Sequence, residues 1–428
     1  GNTRTRDEVI RREMRQFESG WFDSDRVKLS RDRIDRLGYF ESVTVDTPAV
    51  PTAPDQVDVN VTVKERATGN IQLGAGYSSS EGLVITGSLS QQNLFGSGNA
   101  MSLEINTSSA NTVLALTHTN PYVTPEGISR TAEIFYRESN LAELGLSSVG
   151  YSTKGGGLVY GVPFTEFDRV FFGLRYEGTT IDLTPFSPIR YIQYVADYGE
   201  TSDSLAFTVG WSRDSRDNLL VPTRGTFQRA FGEVGLPVLD LQYYRLTYQY
   251  QQYFPITNLV SLHFNTELGY GNSYGNDNKP FPFFKNFYAG GIGSVRGYET
   301  ASLGPVDLAG DPLGGTRRFN ASFEALVPIP GADRTLRAIA FVDMGQVWGP
   351  GCNGQFIIVA NAAEPLQCTG PFYGNNAKVD LSLLRYSVGL GIAWISPLGP
   401  LRLSYAIPFN DKPGDRLQSF QFSIGAGF

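Results

Sequence analysis

From Gly69 to Phe428 the chain alternates apolar and polar residues almost throughout, and this period of two restricts its fold more than any other feature. Met101, Leu103 and Ile105 are interleaved with Ser102, Glu104 and Asn106. Leu205, Phe207, Val209 and Trp211 are interleaved with Ala206, Thr208, Gly210 and Ser212. At the end, Phe420, Phe422, Ile424, Ala426 and Phe428 are interleaved with Gln421, Ser423, Gly425 and Gly427. Successive side chains of a strand point to opposite faces, so each run reads as a β-strand with one apolar and one polar side. A soluble sandwich alternates too, but two features separate the cases. The polar face carries Glu104, Arg175, Glu177, Arg245, Glu267, Arg337 and Asp343, which suits a wet interior. The apolar face is rich in Tyr, Phe and Trp toward strand ends, as in the aromatic girdles of membrane barrels. In lipid every backbone N–H and C=O must pair within the protein, so such a sheet has to close on itself.

The rest of the composition agrees. No stretch approaches 18 consecutive apolar residues, which excludes a transmembrane helix. Glycine (48) and aromatic residues (22 Tyr, 28 Phe) are abundant while charged residues make up only 18%. A formal charge of -7 argues against a nucleic-acid binder, which would present a basic face. Counting alternating segments predicts a mostly β protein, an antiparallel transmembrane barrel of about 16 strands. Short turns, such as Phe167-Asp168-Arg169 and Ser396 to Pro400, alternate with long polar stretches near 182–202, 272–316 and 349–382. Those two lengths match the two ends of an outer-membrane barrel.

Residues 1–66 read differently. Thr5 and Glu8 have capping-box spacing, and Ile10, Met14 and Phe17 follow at helical intervals. A second helix is predicted from Ser24, presenting Val27, Ile34 and Leu37 and stopping at Gly38. A strand follows at Phe40 to Val45. A second, Gln56 to Arg66, places Val57, Val59, Val61 and Val63 on one face. The expected organisation is a small α+β domain at 1–66 and a barrel at 67–428.

Little in the sequence resembles catalytic machinery. His118 and His263 are the only histidines, and Ser261 near His263 makes a poor nucleophile pair. No phosphate loop, zinc spacing or dinucleotide fingerprint occurs, so no enzyme activity, cofactor or metal is expected. Cys352 and Cys368 lie in one polar, glycine-rich segment without histidine neighbours or CxxC spacing. A loop disulfide is the favoured reading over a metal or redox pair, and closing it would contribute about 3 kcal/mol.

Several stretches carry a resemblance. REMRQFESGWFDSDRV, DRLGYFESV and PDQVDVNVTVKER resemble a barrel-proximal POTRA domain. TNPYVTPEG, FKNFYAGGIGSVRGYE, FVDMGQVW and ISPLGPLRLSYAIPF resemble the barrel of the outer-membrane β-barrel assembly factors, within the POTRA-plus-barrel superfamily. The matches run through the whole chain in order. The family's POTRA begins with a strand that would lie before Gly1, so this one is expected to lack it, with further modules upstream.

The resemblance implies a protein of the outer membrane of a Gram-negative bacterium, with its POTRA domain in the periplasm. It would fold and insert β-barrel precursors without ATP. The implied partners are those unfolded precursors, a BamD-like periplasmic assembly lipoprotein, outer-membrane lipids and lipopolysaccharide. Glu18 matches the lipoprotein contact, although a helix-end acid in water is an equal reading. The family's VRG[FY] loop, here Val295, Arg296, Gly297 and Tyr298, folds into the lumen, where its arginine meets acids. By alternation Glu324 and Asp343 both face inward, and they are the expected partners. A weak seam between first and last strands is implied at Gly74, Gly76, Gly425, Gly427 and Phe428, since glycine weakens strands. The same glycines also relieve crowding or permit curvature, and the residues alone leave both open. A two-partner secretion transporter or a passive porin are the alternative functions.

Overall fold

A strand whose neighbours are all strands needs only its two edges satisfied, and this chain meets that need by pairing in sequence order. The computed structural model describes residues 1–165, 167–218, 221–257, 259–275, 279–306, 310–330, 335–349, 379–396, 399–412 and 415–425, with the backbone of 356–359 and 362–365. Among these the barrel strands are β1 (Gly69–Ser78), β2 (Gly82–Gln91), β3 (Ala100–Thr107), β4 (Asn111–Asn120), β5 (Ser129–Asn140), β6 (Val149–Pro163), β7 (Asp168–Leu183) and β8 (Thr201–Asp214). They continue as β9 (Gly225–Gly235), β10 (Tyr243–Pro255), β11 (Ser261–Ser273), β12 (Arg317–Pro328), β13 (Arg337–Trp348), β14 (Arg385–Ser396), β15 (Gly399–Phe409) and β16 (Phe420–Ile424). They form one closed antiparallel barrel in which β16 returns to β1.

Burial is inverted relative to a soluble protein. Along β8, Ser202, Ser204, Ala206 and Thr208 are buried while Phe207 and Val209 are exposed. Hydrocarbon outside and a packed polar lumen inside produce that sign. Register is continuous over long stretches, as from Val149 opposite Leu183 to Pro163 opposite Arg169 between β6 and β7.

The chain packs as two compact units, one of residues 1–72, 87–104 and 115–133, the other of 73–86, 105–114 and 134–428. In the first, helices α1 (Asp7–Arg11) and α2 (Ser24–Arg36) cover a two-stranded sheet of Phe40–Asp46 and Asn60–Glu65. Val9, Ile10, Ile34, Tyr39, Phe40, Val43 and Val63 make its core. The Asp23 carboxylate caps α2 by accepting from the Asp25 and Arg26 N–H groups, and Gly38 at φ +71° lets the chain turn after it. Within the same unit the Thr5 hydroxyl accepts from Asn93 Nδ2 at 2.8 Å. Arg12 lies over the Tyr122 ring, and Arg33 donates to the Tyr122 hydroxyl at 2.9 Å.

Three expectations change. The capping box does not form, because the Thr5 hydroxyl is engaged by Asn93 and α1 has no side-chain cap. The first helix ends at Arg11, because the Arg15 N–H turns to Ser30 Oγ at 2.8 Å; Phe17 is left exposed. The strand over 56–66 is divided. The Asp58 N–H bonds the Pro48 carbonyl, so Ala53–Val57 pairs with Ala49–Val50 and Val57 leaves the face of Val61 and Val63. In the second unit, the stretch near 182–202 contains a helix, α3 (Ile189–Tyr198), with Tyr191 and Tyr194 buried on one side.

Glu65 ties the first residues of the chain to the head. It accepts from the N–H groups of Thr3, Arg4 and Thr5 and from the Thr3 hydroxyl. Desolvation pushes this carboxyl up, but the donors, led by Thr5, outweigh it and hold the value at about 2 against an ordinary 4.5. A depressed carboxyl stabilises the fold fully above its ordinary value, and that contribution is lost as pH falls from there toward about 2. Glu65→Gln is therefore expected to flatten the acid limb of head stability over that window. Melting of the head followed by helical circular dichroism at stepped pH checks this; an unchanged acid limb in the variant would contradict it.

Candidate functional site in the barrel lumen

The site begins with strand register. On the lumen side, one cross-strand row runs His263 (β11), Glu324 (β12), Phe341 (β13) and Gly389 (β14). The next row on the same face runs Asn265, Ser322, Asp343 and Ser387. Period two places Glu324 and Asp343 on one side of the wall, one row apart. Between them lies room for a planar cation. A Cβ at Gly389 would come within 2.5 Å of the Phe341 ring, so glycine there lets the ring lie flat beneath the site.

Arg296 fills that room from the loop between β11 and β12. Its Nε and Nη2 donate to the two oxygens of Asp343, each at 2.7 Å, and its own backbone N–H donates to the same carboxylate at 3.0 Å. Nη2 also lies 2.8 Å from Glu324 Oε1 and 3.1 Å from Ser322 Oγ, while the Ser322 hydroxyl donates to Asp343 at 2.7 Å. The guanidinium carbon sits 3.4 Å from the Phe341 ring centroid. On the far side of Glu324, His263 Nδ1 is 2.9 Å from Oε2, and its ring stacks on Tyr253 at 4.3 Å. Asp343 is 0% and Arg296 6% exposed. Two charges this deep are tolerable because Arg296 Nε and Nη2 and both Asp343 oxygens are paired.

The loop is closed on itself as well. Gly290 N–H donates to Ser294 Oγ, and Gly291 N–H bonds the Val295 and Tyr298 carbonyls. Val295 packs with Ala289, Leu303 and Val347. Gly297 has φ +92°, a conformation that favours glycine, and a Cβ there would also press at 3.2 Å on that of Ala406.

Tyr298 carries the loop toward the seam. Its hydroxyl lies within hydrogen-bond distance of the carbonyls of Tyr386 on β14 and Phe409 on β15. Its carbonyl accepts from Gln421 Nε2 on β16 at 2.7 Å, and Gly297–Tyr298 pairs with Leu417–Gln418 just before that strand. The hydroxyl contacts are ones a phenylalanine cannot make.

The seam between β16 and β1 has two residue pairs among the described residues, Ser423 with Ser78 and Ile424 with Tyr77. The Ser79 N–H adds a bond to the Phe422 carbonyl, and the Tyr77 and Phe422 rings stack at 5.8 Å. Gly425, the last described residue, has φ +65° and gives its N–H to the Pro400 carbonyl on β15, next to the Leu401–Ile424 pair. Gly74 and Gly76 lie on β1 below the two paired positions. Gly427 and Phe428 lie outside the described residues, as do Cys352 and Cys368 with their expected disulfide.

The structure thus brings Arg296 together with Asp343 and Glu324. Glu18 lies on the exposed surface of the head, paired with Arg11 at 2.9 Å. Sequence reasoning missed Ser322, Phe341 and Gln421. Alternation held the signal for the first two, which share the face of the two acids.

Comparison with known proteins follows the same outline. A family model for the Omp85 superfamily domain matches residues 93–428, and the POTRA model, described as surface antigen variable number repeat, matches 1–66. The chain is 38% identical, over its whole length, to 56% of the outer membrane protein assembly factor BamA of Neisseria meningitidis serogroup B. It is 30% identical over its whole length to 50% of the BamA of Nitratidesulfovibrio vulgaris. The chain therefore spans about half the length of these curated relatives. A crystal structure of BamA from Haemophilus ducreyi lacking POTRA domains 1–3 superposes with a TM-score of 0.85 at 29% identity, covering 99% of this chain and 82% of that one. CdiB from Acinetobacter baumannii, at 13% identity and a TM-score of 0.58 over 99% of this chain and 72% of its own, shares the fold alone.

Arg296→Ala leaves Asp343 buried without its cation, a defect of about 3–5 kcal/mol for a broken buried pair. We expect residues 290–299 to become cleavable by protease while the barrel still migrates as a folded species in unheated gels. Arg296→Lys, which lacks the fork, should fall between the two. A loop that stays protected in the alanine variant would show that this pair does not hold it.

Proposed function

This chain belongs to the Omp85 superfamily, and on that premise we propose that it is the barrel and barrel-proximal POTRA part of an outer-membrane β-barrel assembly factor, with the head at 1–66 and the barrel at 67–428. The barrel lies in the outer membrane and the POTRA domain in the periplasm. The curated relatives are named as assembly factors, and the function read here is the folding and insertion of β-barrel precursors.

The physical problem is backbone pairing. A precursor strand entering hydrocarbon carries unpaired N–H and C=O groups, each costing several kcal/mol. An exposed strand edge in the assembly factor satisfies one side of that strand by β-augmentation, and the next strand then adds to the first. No nucleotide is consumed, because pairing and burial of the precursor supply the free energy. The factor lowers the barrier and makes or breaks no covalent bond.

The observation that supports this reading most is the seam. Among the described residues two pairs join β16 to β1, whereas β6 pairs with β7 from Val149 to Pro163. Parting these two pairs frees the β1 edge from Gly69 upward as a template. The loop supports the same reading, because Tyr298 and Gln421 link its position to that of the terminal strand. Precursors are the proposed substrates, a BamD-like lipoprotein at the exposed surface around Glu18 a proposed partner, and phospholipid and lipopolysaccharide the surroundings.

A disulfide between Ser78→Cys and Ser423→Cys locks the seam at a directly opposed pair. In vesicles containing the oxidised variant we expect precursor insertion to stop and to return on reduction, with each single-cysteine variant active throughout. Insertion at the unmodified rate through a locked seam would exclude the template mechanism.

A further inference from the structure

The loop that carries Arg296 holds a second buried cation on another part of the wall. Lys285 closes the short turn Phe283–Lys285, and its Nζ lies 2.5 Å from Glu177 Oε2 on β7 and 2.9 Å from Glu233 Oε1 on β9. The Tyr243 hydroxyl on β10 donates to the same Glu233 oxygen, and Arg175 Nε is 3.4 Å from the other oxygen of Glu177. The lysine and both acids are largely shielded from water. Around them the loop is fastened by packing. Phe283 stacks on Tyr191 of α3 at 4.0 Å, and Tyr191 Oη and Asn286 Nδ2 both donate to the Leu313 carbonyl.

This cluster is costly for what it adds to the barrel. Glu177 and Glu233 sit on strands separated by β8, and the backbone ladder there would close equally well with neutral side chains. Buried ion pairs are poor sources of stability compared with apolar packing, and their best-attested use is to fix one arrangement among several. What is fixed here is the loop. From Lys285 it runs to Arg296 on β12 and β13, and then to Tyr298, which touches β14, β15 and β16.

We propose that Lys285, Glu177 and Glu233 form a second anchor, the fixed end of a strut whose other end holds the terminal strand. Lys285 is in this sense a positioning residue: it acts on the seam through the loop and Tyr298 and touches no precursor. The proposal rests on the assembly reading for its consequence in insertion, but its structural half stands separately. Release of the fixed end widens the positions open to Tyr298, and through Gln421 those of β16. Arg296 is then left to locate the loop with the backbone pairing at Gly297–Tyr298 and the packing of Phe283 and Val295.

The test removes the charges together, so that none is left unpaired: Lys285→Met with Glu177→Gln and Glu233→Gln. Two quantities are read in the full chain, amide hydrogen exchange over residues 417–424 and insertion of a barrel precursor into vesicles. We expect a folded, heat-modifiable barrel in which exchange over 417–424 rises about tenfold and insertion falls by a similar factor. Lys285→Arg keeps the cation and should retain both values. Should the triple variant fail to fold, Glu177→Gln alone, which leaves a neutral Lys285–Glu233 pair, is expected to raise the same exchange by a smaller factor. Unchanged exchange over 417–424 in a folded variant overturns the anchor, whatever insertion does. Raised exchange with normal insertion overturns the positioning role. Absence of insertion by the unmodified protein overturns the assembly reading instead, and the exchange result still decides the anchor.

Discussion

Hydrocarbon accepts no hydrogen bonds, and nearly every feature of this barrel answers to that. Strands pair with their sequence neighbours in long unbroken register, apolar side chains face outward, and the polar half of each strand is turned into the lumen. Among the described residues the return of β16 to β1 rests on two residue pairs, Ser423 with Ser78 and Ile424 with Tyr77. On its other side β16 pairs with β15 from Phe420 to Ile424, and the Gly425 N–H carries that ladder on to the Pro400 carbonyl.

The lumen shows the complementary economy. A polar interior facing a long loop offers many weak contacts, and weak contacts leave a glycine-rich segment with many conformations. Here a few strong ones replace them. Arg296 brings five donor positions to a wall where two acids and a serine stand on adjacent rows, and Phe341 lies under its face. Lys285 repeats the scheme on β7 and β9. The loop is thereby held by charge at two points and by backbone pairing at a third, next to the terminal strand.

Much of this is legible in the amino-acid sequence. Alternation located the strands and, because its period is two, fixed the inward direction of Glu324 and Asp343. Their meeting with Arg296 came from family resemblance, since no local pattern says where a loop arginine goes. What stayed hidden was tertiary in origin. The first helix stops after little more than a turn because Ser30, in another helix, accepts the next backbone donor. The helix at Ile189–Tyr198 hides in a polar stretch because its tyrosines become a buried face only against Phe283 and the strands and loops around it. Lys285 lay within a recognised stretch, but its partners stand far away in sequence, on strands whose inward acids are many. The Tyr298 hydroxyl likewise finds two backbone carbonyls that carry no side-chain signature.

Strand length has one more consequence, which concerns the bilayer. β7 runs for 16 residues. At about 3.3 Å per residue this is a span of roughly 50 Å before tilt, beside a hydrocarbon layer about 30 Å thick. The ends of such a strand stand clear of the hydrocarbon, so its outermost residues answer to headgroups and water and are free of the rule that governs its middle.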